Sequence, residues 1–134
     1  VLRFSGSYLA SARLPRLLQP TLNRLSTQLG DPASAVVLDG TEVVIVARSG
    51  FASRAQVLAY GLHLGARLPA HATSTGRVLL AARTRSDFNA WMKGDGPGAR
   101  VLARLTPRTV TEPRAFRAII DQVRADDWCV AHEE

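Results

Sequence analysis

Apolar side chains at Leu14, Leu17, Leu18, Leu22, Leu25 and Leu29 recur at intervals of three and four, the spacing that lines one face of a helix over Pro15–Leu29, and Gly30 supplies its stop. Pro15 suits a first turn, where a missing N–H costs nothing. Pro20 lies inside the pattern, so a bend or interruption is expected near Gln19. The period then changes. Two β-branched runs, Ser34–Asp39 and Glu42–Arg48, are joined at Asp39-Gly40, a strong hairpin signal that predicts antiparallel pairing. A third run, Ala55–Tyr60, follows a loop containing Gly50 and completes an expected three-stranded meander.

After a turn at Leu68-Pro69, the polar stretch His71–Arg77 leads into Val78–Ala82, the composition of a loop feeding a helix, with Thr73 or Ser74 as its N-cap. Ser86 and Asp87 open a short helix through Trp91 and Met92 that ends at Gly94, and Gly94–Gly98 reads as a glycine-rich turn. Thr111-Glu112-Pro113 caps a further helix, with Phe116, Ile119, Ile120 and Val123 on one face and an end near Asp126. Trp128–Ala131 reads as the next strand. Strands, then helices, then a strand describe an α+β fold, an antiparallel sheet flanked by helices.

With 134 residues, 46% of them apolar, the chain is read as a single domain over 1–134 with one core. No run of eighteen apolar residues interrupts the 21% charged content, so no membrane span is expected. The start at Val1 lacks Met and any secretory pattern and reads as the middle of a longer protein, and the end reads as a strand running into a loop, with no polar tail to close the fold. One cysteine, Cys129, precludes an internal disulfide and fits a reducing cytoplasm. The net charge of +6 comes from sixteen arginines and one lysine. They are scattered, with no basic run, which argues against direct nucleic-acid binding by this segment.

The chemistry-bearing stretch is Ala72–Arg77, where the hydroxyls of Thr73, Ser74 and Thr75 and the backbone at Gly76 gather at a helix start. Exposed N–H groups and the helix dipole there suit an anion such as a carboxylate, and Gly76 would let a ligand come close to the backbone. Ordinary N-capping explains the same residues, and the sequence leaves both readings open. Arg77 is expected to face solvent or an ion pair. His63 and His71 have no acidic or thiol neighbour at metal-ligand spacing, so neither a metal nor a cofactor is expected. Ser74 with His71 as its base would make a small serine hydrolase, but Ala72 breaks the nucleophile-elbow pattern, and no catalytic residue is assigned.

The run Leu62–Ala81, with its Gly65-x-x-Leu68-Pro69 turn followed by His71-Ala-Thr-x-x-Gly76-Arg77, resembles the central signature of the IclR-family effector-binding domain. Gln19-Pro20 through Gly30, Val37–Val44 and Leu105–Thr111 resemble further landmarks of that family in the same order. The resemblance implies a GAF-like domain, here lacking its last strands, that binds a small organic acid, does no chemistry, and forms a homodimer or homotetramer. DNA would be bound only through an N-terminal winged helix-turn-helix that this chain does not contain. It further places effector contacts at Val57 and Tyr60 on the third predicted strand and at Thr73, Ser74 and Thr75 on the loop, with Gly76 supporting that loop. Ser74 and Thr75 stand where members that take tiny keto acids have smaller residues, which implies a ligand that approaches flat, such as an aromatic carboxylate. Ala131 departs from the acidic residue often found there. A ligand-free dimerisation or scaffold domain is the alternative of a different class.

Overall fold

The structure is a computed structural model that describes residues 13–50, 63–94 and 101–132. The described elements are α1 (Arg13–Leu29), β1 (Ala33–Asp39), β2 (Glu42–Ser49), β3 (Arg67–Pro69), α2 (Ser74–Ala81), α3 (Arg85–Lys93) and α4 (Pro113–Asp126). The strands form one sheet in the order β1-β2-β3. This is the α+β fold that the alternation of periods predicts. The chain divides into two compact units, one of Val1–Asp39 with Val44–Arg67 and one of Gly40–Val43 with Leu68–Glu134.

In the first unit α1 runs unbroken through Pro20, against the expected interruption at Gln19. Proline deprives the Arg16 carbonyl of its donor, but Arg16 and Pro20 are both exposed, so water can replace the lost bond. The helix is held to the strands by polar contacts. Gln19 Nε2 donates to the Arg48 carbonyl at 3.0 Å, and Ser26 Oγ lies 3.1 Å from Ser49 Oγ. Leu22 and Ser26 are its buried residues, while Leu17 and Leu29 are 73% and 69% exposed. The expected hairpin is present. Gly40, at φ +61, begins its two-residue turn in a conformation open to glycine at little cost. β2 is apolar and buried on both faces from Val43 to Ala47. Antiparallel pairing places Ile45 N on Ala66 O at 3.0 Å. The third described strand is therefore β3, at residues that the sequence read as a turn; the predicted strand Ala55–Tyr60 lies outside the described residues.

The second unit is built on an aromatic cluster. Phe88, Trp91 and Phe116 have ring centroids 6.2 to 6.4 Å apart, the offset distances at which ring quadrupoles attract. Phe116, Leu80 and Ile120 are fully buried around it. The Trp91 indole donates to the Gly40 carbonyl at 2.9 Å, so the hydrogen bond of its one polar atom is not lost on burial. Arg124 Nε donates to the Ala81 carbonyl at 3.0 Å, satisfying a carbonyl at the C-terminus of α2. α3 begins one residue before the predicted Ser86, because Thr84 is its N-cap and accepts from Asp87 N. Trp128–Ala131 is not a strand. An apolar run becomes a strand only where a neighbouring edge takes its backbone hydrogen bonds, and no described strand pairs with it; Trp128 and Val130 are exposed.

Glu112 caps α4. Its carboxylate accepts the N–H of Arg114 at 3.0 Å and of Ala115 at 2.6 Å, and these bonds hold its pKa below the ordinary glutamate value. A lowered folded pKa gives stability that is present above the unfolded pKa of about 4.3 and is lost as pH falls through the folded value. Glu112→Gln should therefore be less stable than the wild type at neutral pH, with the difference closing in acid; parallel denaturant titrations at pH 7 and in acid check this.

Candidate functional site

Between the end of β3 and the first turn of α2 the chain is tied to itself by side chains at almost every residue. Thr73 is the N-cap, as expected for one of two candidates. Its hydroxyl donates to the Pro69 carbonyl at 2.9 Å and accepts from Gly76 N at 3.2 Å, so both its donor and one acceptor position are in use. Arg77 N closes the first helical turn onto Thr73 O at 3.1 Å.

Gly76 is enforced by packing. A Cβ built there would lie 2.6 Å from the Ala70 carbonyl carbon, with other Ala70 backbone atoms nearer still. The space that the sequence suggested for a ligand's approach is taken by the chain's own backbone. Gly76 thus supports the loop by letting α2 sit against Ala70, which is itself fully buried.

His71 and Arg77 are both buried, at 4% and 2% exposure, and both act on the loop from within. His71 Nε2 lies 2.8 Å from the Ala103 carbonyl, which can only accept, so Nε2 carries the proton and donates. That nitrogen cannot also serve as a base for Ser74. Arg77 Nε donates to the His71 carbonyl at 3.0 Å from a buried position, so of the two expected settings, solvent or an ion pair, solvent is overturned. Alanines on both sides of His71, at 70 and 72, were the available signal for this close packing, since small residues let backbones approach. Nothing in the local sequence pointed to Ala103 as the partner.

Ser74 and Thr75 differ from these neighbours. Both are half-buried at the first two positions of α2, and among the described residues no hydrogen bond engages either hydroxyl. They present two hydroxyls at the positive end of a helix whose cap is already made by Thr73. Val57 and Tyr60 lie outside the described residues, so the structure brings together Thr73, Ser74, Thr75 and Gly76 of the six predicted contacts. Among the described residues no group of three or more His, Cys, Asp or Glu could hold a metal, and no helix is long and apolar enough to cross a membrane.

The fold is α+β, and its loop before α2 is a hydroxyl-bearing helix start tied down by its own side chains. The family model "Bacterial transcriptional regulator IclR C-terminal" matches residues 6–134, and the chain belongs to that family. The p-hydroxybenzoate hydroxylase transcriptional activator of Acinetobacter baylyi is 48% identical over 100% of the chain and 48% of its own length. The chain thus spans about half the length of such relatives. Among solved structures, a double mutant of the PobR inducer-binding domain from Acinetobacter, in complex with 3-hydroxybenzoic acid, has a TM-score of 0.72 at 43% identity, covering 90% of this chain and 66% of that one. An IclR homologue from Microbacterium hydrocarbonoxydans complexed with 4-hydroxybenzoate has a TM-score of 0.67 at 25% identity, covering 90% and 47%.

Substituting Gly76 by Ala should destabilise the protein more than Thr73→Ala, which removes a cap worth ~1 kcal/mol together with the hydroxyl's hydrogen bond to the Pro69 carbonyl. The reason is that backbone atoms, rather than a movable side chain, block the new Cβ. Urea unfolding of both variants against the wild type measures the two costs.

Proposed function

We propose that this chain is the effector-sensing domain of a transcription regulator, and that its effector is a small aromatic carboxylic acid held at the start of α2. The observation that carries the reading is the pair of unengaged, half-buried hydroxyls of Ser74 and Thr75 on a helix N-terminus fixed in place by Thr73, Gly76, His71 and Arg77. A carboxylate or phenol oxygen takes hydrogen bonds there without reorganising the loop, so little ordering cost opposes binding. Support also comes from the hydroxybenzoates bound by two relatives of the same fold.

On this reading Val57 and Tyr60 supply the rest of the contact surface, and the ring of Tyr60 suits an aromatic ligand. The domain does no chemistry. It works in the cytoplasm as part of a homodimer or homotetramer, and DNA is bound by a separate N-terminal domain of the whole regulator. The ligand acts by binding one assembly state more tightly than another, which is the only way that binding can shift an equilibrium.

The test is thermal unfolding of the full-length regulator with 3- and 4-hydroxybenzoate. At about 100 times Kd the effector should raise Tm by several degrees. Ser74→Ala and Tyr60→Ala should each reduce that shift. Unchanged affinity in both variants would sink the proposed site, and no shift with any carboxylate would favour a ligand-free dimerisation domain.

A further inference from the structure

Residues 101–111, which lead into α4, form neither helix nor strand and are held by their own side chains. Thr109 is buried, and its hydroxyl accepts the N–H groups of Leu105 at 3.2 Å and Thr106 at 2.9 Å. Arg104 closes the turn from outside, donating to the Pro107 carbonyl at 3.1 Å and to Thr111 Oγ1 at 3.2 Å. Val101 is the one buried apolar residue of this strap, whereas Leu105 is 53% exposed. A segment held by hydrogen bonds with so little apolar packing belongs to the low-stability end of a fold and opens before the core does.

The carbonyl of Ala103 is committed outside the strap. It accepts from His71 Nε2 at 2.8 Å, across 32 residues of sequence. His71 is buried in the loop that precedes α2, and its own carbonyl holds Arg77 Nε at 3.0 Å. Opening the strap strips the acceptor from a buried imidazole N–H, and opening the loop strips the donor from Ala103. A buried group left without its partner costs its desolvation penalty, so opening either segment makes the other easier to open.

We infer that His71 couples the effector loop to residues 101–111, so that the two open as one unit and an effector held at Ser74 and Thr75 stabilises both. This rests on the effector reading above and names the route by which binding is felt beyond the site. His71 is a positioning residue here: it holds the Ala103 carbonyl and touches no ligand. A ligand that binds only the closed loop slows every motion that must open that loop, in proportion to its concentration over Kd. Arg104, Leu105 and Arg108 are exposed on the strap, so its state of order is presented at the surface.

The experiment is amide hydrogen exchange of the full-length protein, with and without whichever of 3- and 4-hydroxybenzoate binds it. In wild type the amides of Leu105, Thr106 and Thr109 should exchange faster than that of Phe116 in the core, and the effector at about 100 times Kd should slow them about 100-fold. The amides of Gly76 and Arg77, in the loop itself, should slow by the same factor. In His71→Phe, which keeps a ring but loses the donor, the effector should still slow Gly76 and Arg77 while Leu105, Thr106 and Thr109 no longer respond. His71→Gln, which can still donate, should restore part of that response. Binding without slowing of the strap in wild type, or strap exchange no faster than in the core, overturns the coupling and leaves the effector reading standing. Slowing of the strap that persists in His71→Phe does the same. If His71→Phe does not fold, unequal factors for loop and strap in wild type overturn the coupling and equal ones uphold it. If neither hydroxybenzoate binds the folded wild type, the effector reading falls and the coupling with it.

Discussion

The first turn of α2 lies so close to the backbone at Ala70 that only a residue without a Cβ fits at position 76. The geometry of the loop follows from that approach. The Thr73 hydroxyl bridges the Pro69 carbonyl and the Gly76 N–H, and Arg77 reaches back to the His71 carbonyl from a fully desolvated position. His71 in turn is pinned by the Ala103 carbonyl. Each of these bonds uses a polar group that would otherwise be buried and unsatisfied, so the loop is held by satisfied burial rather than by apolar packing alone. Ser74 and Thr75, the two positions left unengaged, inherit this rigidity. A binding group placed this way loses little freedom when it meets a ligand.

Much of the fold was readable from the order of residues. The leucine period gave α1, Asp39-Gly40 gave the hairpin, and the face of Phe116, Ile120 and Val123 gave α4, because each is a local rule expressed over consecutive residues. What failed depended on partners distant in sequence. Pro20 was tolerated because its face of α1 is exposed. Arg67–Pro69 became a strand because β2 offers hydrogen bonds to it, and Trp128–Ala131 did not because no described strand does.

The site divides along the same line. Thr73 as a cap is a short-range effect and could be foreseen, and so could the special place of Gly76, though its cause lies in Ala70 rather than in a ligand. The burial of Arg77 was invisible, because a basic residue in a first helical turn faces water unless some distant segment closes over it. The bond from His71 to Ala103 shows the same limit, since it joins segments 32 residues apart.

The seam between α1 and the strands has a thermodynamic corollary. Gln19, Asn23, Ser26 and Ser49 join the helix to β2 through hydrogen bonds, with Leu22 as the only buried leucine of the helix. Exposing polar surface lowers the heat capacity whereas exposing apolar surface raises it. Loosening α1 from its strand would accordingly leave a small calorimetric trace, while melting the Phe88, Trp91 and Phe116 cluster would leave a large one. The helix can thus change its attachment at nearly constant heat capacity, a property suited to a joint more than to a keystone.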